Sequence, residues 1–235
     1  MVVNQSSIST LDKKREKWFM KYEYILFDLD GTITDSGIGI TNSVMYALKK
    51  YGIEVSDRTQ LYRFIGPPLL NSFQNYYGFS EEKAKTSVEY YREYYRDKGI
   101  FENFLYDGVE DLLKTLQDNN KILIVATSKS EVFAKQVLVH FNIAKYFTYI
   151  AGSNIDGTRT KKNEVIKHAL ESCNIIDLSK VIMIGDREHD IIGAKKVGID
   201  SIGVLFGYGD RNELEKAGAD FIVDTVADIG KLLSI

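Results

Sequence analysis

"ILFDLDGTITD", residues 25–35, is an apolar run that stops at two aspartates separated by a single leucine. Like charges that close repel, and burying either one is costly. In an extended chain Asp28 and Asp30 project to the same side, here at the end of what reads as a buried strand. A divalent cation between the oxygens makes such a pair tolerable. One carboxylate can then attack an electrophile while the other handles protons. A surface acidic turn capping the next helix would carry the same two aspartates. "DGT" directly after an apolar run is the sharper signal.

Further short runs rich in Ile and Val stop at small or acidic residues. They are "KILIVAT" at 121–127, "YFTYIAG" at 146–152, "KVIMIGD" at 180–186, "DSIGVL" at 200–205 and "DFIVD" at 220–224. They are continuous rather than alternating, as strands covered on both faces are. Helical patterns lie between them, including "GVEDLLKTLQDN", "SEVFAKQVLVHFN", "KNEVIKHALESCN", "HDIIGAKKVG" and "DRNELEKAGA". This alternation predicts right-handed crossovers and a parallel sheet sandwiched by helices, an α/β Rossmann-like core. Ligands in such folds bind at the carboxyl ends of the strands. Residues 38–105 break the alternation and read as helices throughout, with breaks at Gly, Pro or Ser. They predict a helical domain (38–105) inserted in a core made of 20–37 and 106–235. "DSGIGITNS", with Gly37 and Gly39, reads as a hinge into it. The i,i+4 pairs Tyr90/Tyr94 and Tyr91/Tyr95 read as packing between helices rather than a substrate cage.

Chemistry-bearing residues collect at the strand ends. Thr127 and Ser128 close "ILIVATS", where a hydroxyl and nearby N–H groups can hold a phosphate oxygen, although both residue types commonly cap helices. "DGTRTKKNEVI" brings Arg159, Lys161 and Lys162 ahead of a helix, where a lysine could neutralise a phosphoryl group and its attacking carboxylate. In "VIMIGDREHDIIGA", Asp186 ends a strand and Asp190 follows four residues on. His189 reads as a neighbour pointing away, since the aspartates already supply the chemistry.

These points together resemble the haloacid dehalogenase (HAD) superfamily. "DLDGT" carries Asp28, Asp30 and Thr32; Thr127 follows an apolar strand; Lys162 stands before a helix; "GDREHD" carries Asp186 and Asp190. The order and spacing span the chain from residue 22 onward. The helical insert resembles the C1 cap of the phosphoglycolate phosphatase-like subfamily, and "FIGPPL" at 64–69 looks like its substrate-facing loop, with Gly66 and Pro67 against substrate. The resemblance implies a phosphatase in which Asp28 becomes an aspartyl-phosphate and Asp30 acts as acid, then base. It implies Mg²⁺ held by Asp28, the carbonyl of Asp30 and Asp186, with Asp190 supporting that shell. Thr127, Ser128, Gly31 and Thr32 would bind phosphate. Lys162 is favoured over Lys161 because it directly precedes "NEVI". The implied substrate is a small phosphorylated metabolite, first a phosphoglycolate-like ester, with a nucleoside monophosphate close behind because Phe64, Phe73 and Tyr76 could stack a base.

Composition fits an ordinary globular chain: 235 residues, 44% hydrophobic, 27% charged, net charge −3. That balance gives no reason to expect nucleic acid or an anionic membrane as partner. The single cysteine, Cys173, cannot form an internal disulfide and reads as filler; it fits a reducing, cytoplasmic setting. No run approaches the ~20 apolar residues of a membrane span. Residues 1–19 are polar, then basic, without the apolar core of a signal peptide. They read as an appendage, with Met20 as an alternative start, and the protein as a monomer or weak homodimer. Among rivals, dehalogenases lack the second acid that Asp30 supplies. Phosphonate-cleaving relatives use a cap lysine, and Lys49, Lys50, Lys83 and Lys85 stand in no such motif. Sugar-phosphate mutases share the aspartate pair and stay open. A binding protein on a degenerate scaffold would usually lack one of the residues that are all filled here.

Overall fold

The computed structural model describes residues 21–233; the expectations for residues 1–19 and for Met20 lie outside them. The first strand, β1 (Tyr24–Phe27), lies at the centre of a six-stranded parallel sheet. β4 (Ile122–Ser130) and β5 (Tyr149–Ser153) extend it on one side. β6 (Val181–Gly185), β7 (Asp200–Val204) and β8 (Phe221–Val223) extend it on the other. The register pairs Leu26 with Ile124 of β4 and with Met183 of β6.

Side chains alternate between two apolar layers, which is why the central runs Ile25–Phe27, Leu123–Ala126 and Val181–Ile184 are apolar throughout. Ile25, Phe27, Val125 and Ile184 face one layer, and Leu26, Ile124, Ala126 and Met183 the other. The first layer is covered by α4 (Val109–Asp118), α5 (Glu131–His140) and α9 (Val226–Leu233). The second is covered mainly by α6 (Lys162–Ser172) and α7 (Glu188–Val197). A short helix, α8 (Arg211–Ala217), packs on α7.

Between β1 and β4 the chain leaves the sheet. A two-stranded antiparallel ribbon of β2 (Thr34–Asp35) and β3 (Phe104–Leu105) carries it out and back. Between these lie α1 (Gly37–Lys49), a 3₁₀ segment Arg58–Phe64, α2 (Leu69–Tyr77) and α3 (Glu81–Asp97). The apolar cluster of this insert is continuous with the first layer of the core; Tyr95 of α3 meets Phe133 of α5 edge-on with ring centroids 5.4 Å apart.

Several local expectations change. Tyr146 and Phe147 are not in a strand, because β5 gains a lateral partner only from Tyr149, which pairs with Ile124; Tyr146 instead closes a 3₁₀ turn. β3 is a strand within a segment expected to hold none, since two residues are too short for a periodic signal. Gly39 is not a free hinge. It sits inside α1, where a Cβ would come within 1.9 Å of the Gly99 carbonyl, so it permits close packing of the two ends of the insert. The last helix, α9, is eight residues long, too short to stand out in the sequence.

Candidate active site

Two strand ends and two helix starts converge on one buried group of charges. Asp28 directly follows β1, and its N–H donates to the Ile184 carbonyl at 2.9 Å. Asp186 directly follows β6, and Asp190 lies in the first turn of α7, its Oδ2 accepting from the Arg187 N–H at 3.1 Å. Lys162 opens α6, buried, while Lys161 is exposed. Its Nζ lies 2.8 Å from Asp28 Oδ1 and 2.7 Å from Asp190 Oδ1, and donates to the Ala126 carbonyl at 3.0 Å.

Asp28, Asp186 and Asp190 are fully buried, with one oxygen of each within 4.8 Å of the others. Asp186 accepts from the Tyr208 N–H at 2.8 Å and from the Thr32 hydroxyl at 3.3 Å. Thr32 is therefore turned to this carboxylate. Gly31 makes the turn, with φ +86°; a Cβ there would fall 2.2 Å from Asp186 Oδ2. The Tyr208 contact was not legible in the sequence. Its only trace is the glycine pair of "GYG" at 207–209, which lets that loop press against Asp186.

Burial dominates the electrostatics. It pushes the Asp28 carboxyl up to about 6 against the pull of Lys162, with Asp190 and Asp30 pushing the same way. Asp186 is pushed well above the usual carboxylate range by burial and then by Asp190 and Asp28. Lys162 holds its proton more tightly than usual: burial works against its charge, but Asp190 and Asp28 outweigh it. Three carboxylates against one ammonium leave a surplus of two negative charges. An all-oxygen donor set with that surplus, three buried carboxylates sharing the single Lys162 ammonium, fits a hard divalent cation. The carboxylate of Asp30 is not in this group. Its Oδ2 is paired with Lys129 Nζ at 2.5 Å, and its Oδ1 has no partner. His189 does not join the cluster either; burial holds its pKa below the ordinary value.

Above this floor, between core and insert, lies a cavity of about 700 Å³. Asp28, Asp30, Thr127 and Ser128 line it from the core, and Gly66, Pro67, Leu70, Tyr91 and Tyr95 from the insert. Phe64 reaches it, but Phe73 does not: it stacks on Phe79 within the insert's own core. Tyr76 likewise packs on Phe64 under the Arg63 guanidinium. Two arginines tie insert to core. Arg187 Nη1 donates to the Ile65 carbonyl at 2.7 Å while its Nε donates to Glu213, and Arg92 Nη2 donates to the Ile155 carbonyl at 2.9 Å.

Carboxylates at the end of the first and fourth core strands, a hydroxyl at the end of the second and a lysine at a helix start define a hydrolase of the α/β class. The chain belongs to the haloacid dehalogenase-like hydrolase family, whose sequence pattern matches residues 25–204. It is 47% identical over 195 residues to the 5'-nucleotidase of Pseudomonas aeruginosa, covering 83% of this chain and 88% of that protein. It is 37% identical over 210 residues to tyrosine-protein kinase PtkA of Mycobacterium tuberculosis, covering 89% and 71%. It is 26% identical over 219 residues to the phosphoglycolate phosphatase of Vibrio parahaemolyticus, covering 90% and 96%. Among solved structures, a predicted phosphatase from Clostridium acetobutylicum superposes with a TM-score of 0.89 at 51% identity, over 92% of this chain and all of the other. The protein is a phosphoric monoester hydrolase.

Proposed function

We propose that the protein is a Mg²⁺-dependent phosphatase that works through an aspartyl-phosphate, and that its substrate is a nucleoside monophosphate. The observation that carries the chemistry is the buried Asp28 carboxylate, 2.8 Å from Lys162, on the floor of a cavity whose neighbouring carboxylate, Asp30, stands apart from the acidic cluster. An Asp28 oxygen attacks phosphorus, the bond from phosphorus to the ester oxygen breaks, and Asp30 gives its proton to the departing oxygen. Water then attacks the phosphorus of the acyl phosphate, Asp30 takes a water proton, and inorganic phosphate leaves Asp28. Thr127, Ser128 and Lys162 bind the phosphoryl oxygens. Phosphoryl transfer depends chiefly on positioning and charge neutralisation, and this arrangement supplies both. Asp28 and Asp186, with the Asp30 carbonyl, would hold Mg²⁺, and Asp190 would support them; the ion would supply the positive charge that the surplus of carboxylates calls for. The helical insert acts as a cap that excludes water while the leaving group departs.

The cavity favours a nucleotide over phosphoglycolate. A volume of about 700 Å³ with an aromatic and aliphatic wall far exceeds a two-carbon phosphoacid and suits a base and sugar. The relative named 5'-nucleotidase points the same way. The test is phosphate release with Mg²⁺ across nucleoside monophosphates, sugar phosphates and phosphoglycolate. Nucleotides are expected to lead in kcat/KM by at least about tenfold, and Asp28→Asn to be inert. Phosphoglycolate ahead of every nucleotide would reject the substrate, and turnover in Asp28→Asn equal to wild type would reject the mechanism. Isomerised sugar phosphate in place of free phosphate would indicate a mutase.

A further inference from the structure

We infer that Lys129 and Tyr95 form a polar subsite for the leaving group. It recognises a hydrogen-bond acceptor two or three bonds from the ester oxygen, which in a nucleoside monophosphate is a sugar oxygen beside the 5' carbon. This rests on the reading above in one respect: Asp30 hands its proton to the leaving oxygen.

Lys129 is held from behind by the phosphate-binding turn. The Thr127 hydroxyl oxygen accepts the Lys129 N–H at 3.2 Å, so the residue that faces the phosphoryl group also fixes the lysine backbone. The side chain runs into the cavity and is only 7% exposed. Its Nζ sits 2.5 Å from Asp30 Oδ2 and 4.9 Å from the centre of the Tyr95 ring. An ammonium has three N–H donors. Among the described residues, Asp30 is the one hydrogen-bond acceptor it reaches, and the ring face adds a cation–π contact. Tyr95 is 1% exposed, lines the cavity, and its hydroxyl has no partner.

Spare donors on a desolvated ammonium and an unpaired buried hydroxyl are costly unless a ligand completes them. Distance identifies which part of the ligand does so. To receive a proton, the leaving oxygen must lie about 3 Å from the Asp30 carboxylate, so it is within about 6 Å of Lys129 Nζ. That separation reaches atoms two or three bonds into the leaving group. In the reading above the phosphoryl oxygens meet Thr127 and Ser128, which line the cavity, and the nearby charge of Lys162, so they do not need Lys129. Sequence reading gave Lys129 no role, because a lysine after Thr-Ser has no spacing signature; only the fold turns it onto Asp30.

The test compares kcat/KM for AMP, n-butyl phosphate and p-nitrophenyl phosphate in wild type, Lys129→Met, Lys129→Arg and Tyr95→Phe. n-Butyl phosphate has a similarly basic alkoxide leaving group but no acceptor. Lys129→Met also removes the charge beside Asp30, so some loss on every ester is expected, but the loss on AMP should exceed that on n-butyl phosphate by at least about tenfold, because a site built to hydrogen-bond a group penalises substrates that have it more than those that lack it. Lys129→Arg should recover part of the AMP activity, and Tyr95→Phe should show the same pattern more weakly. Equal loss on AMP and n-butyl phosphate with p-nitrophenyl phosphate spared would mean that Lys129 acts only through Asp30, and would overturn the subsite. So would an equal loss on all three esters, or a loss on none. If wild type ignores AMP but takes phosphoglycolate or a sugar phosphate, the nucleotide reading fails. The same comparison against n-butyl phosphate then decides the subsite with that ester.

Discussion

Replacing Asp28 by Asn should stabilise the metal-free protein while abolishing its turnover. Burial raises the Asp28 carboxyl from 3.8 to about 6, and the attraction of Lys162 is already included in that balance. A carboxyl whose folded pKa lies above its unfolded value opposes folding once it ionises. The penalty is absent below pH 4, grows between pH 4 and 6, and is complete above pH 6. At 1.36 kcal/mol per pH unit, the charge costs at most about 3 kcal/mol at pH 7.5. Asn keeps the shape without the charge. For a chain of this size that corresponds to a rise in Tm of about 6–12 °C at pH 7.5, shrinking to nothing near pH 4. The assay is thermal and urea unfolding of chelator-treated wild type and Asp28→Asn at pH 4, 6 and 7.5. Adding Mg²⁺ should then raise the wild type more than the variant, because binding to the folded state adds stability in proportion to affinity. A variant less stable than wild type at pH 7.5 without metal would refute the reasoning. It would mean that the Lys162 contact outweighs burial.

Three further outcomes follow from other contacts. Lys162→Met leaves Asp28 and Asp190 without their shared cation and should cost about 3–5 kcal/mol in urea unfolding, whereas exposed Lys161→Ala should change neither stability nor turnover. Gly31→Ala sets a Cβ 2.2 Å from Asp186 Oδ2 at φ +86°, and should cost about 1–3 kcal/mol and weaken Mg²⁺ binding as read by titration calorimetry. Arg187→Met removes the bond to the Ile65 carbonyl and the pair with Glu213, loosening the loop that carries Gly66 and Pro67. It should raise KM for nucleotides more than it lowers kcat, with a loss of about 1.5–3 kcal/mol in kcat/KM; an unchanged KM would count against that tie.

Sequence alone carried the parallel sheet and the acidic cluster because both have local signatures. Strands covered on both faces must be apolar throughout, so "YILF" and "VIMIG" announce themselves. Asp28 and Asp186 follow these runs directly, and a strand end is a position that fold topology fixes. Lys162 and Asp190 were legible for a related reason, since each stands at a helix start near a strand end. What the sequence left undecided depends on which residues meet across long separations. Lys162 rather than Lys161 reaches Asp28 because Lys161 is the extended residue that precedes α6 and stays in solvent, while Lys162 is the first residue of the helix and turns inward. Asp30 left the carboxylate cluster for Lys129, a contact across 99 positions. Tyr91 and Tyr95 look the same in the chain as Tyr90 and Tyr94, yet one pair lines the cavity and the other does not. Phe73 and Phe64 are equally apolar, and only packing sends one into the insert's core. Local pattern specifies burial and direction along an element. Which buried surface faces a cavity is decided by how separate elements close over one another.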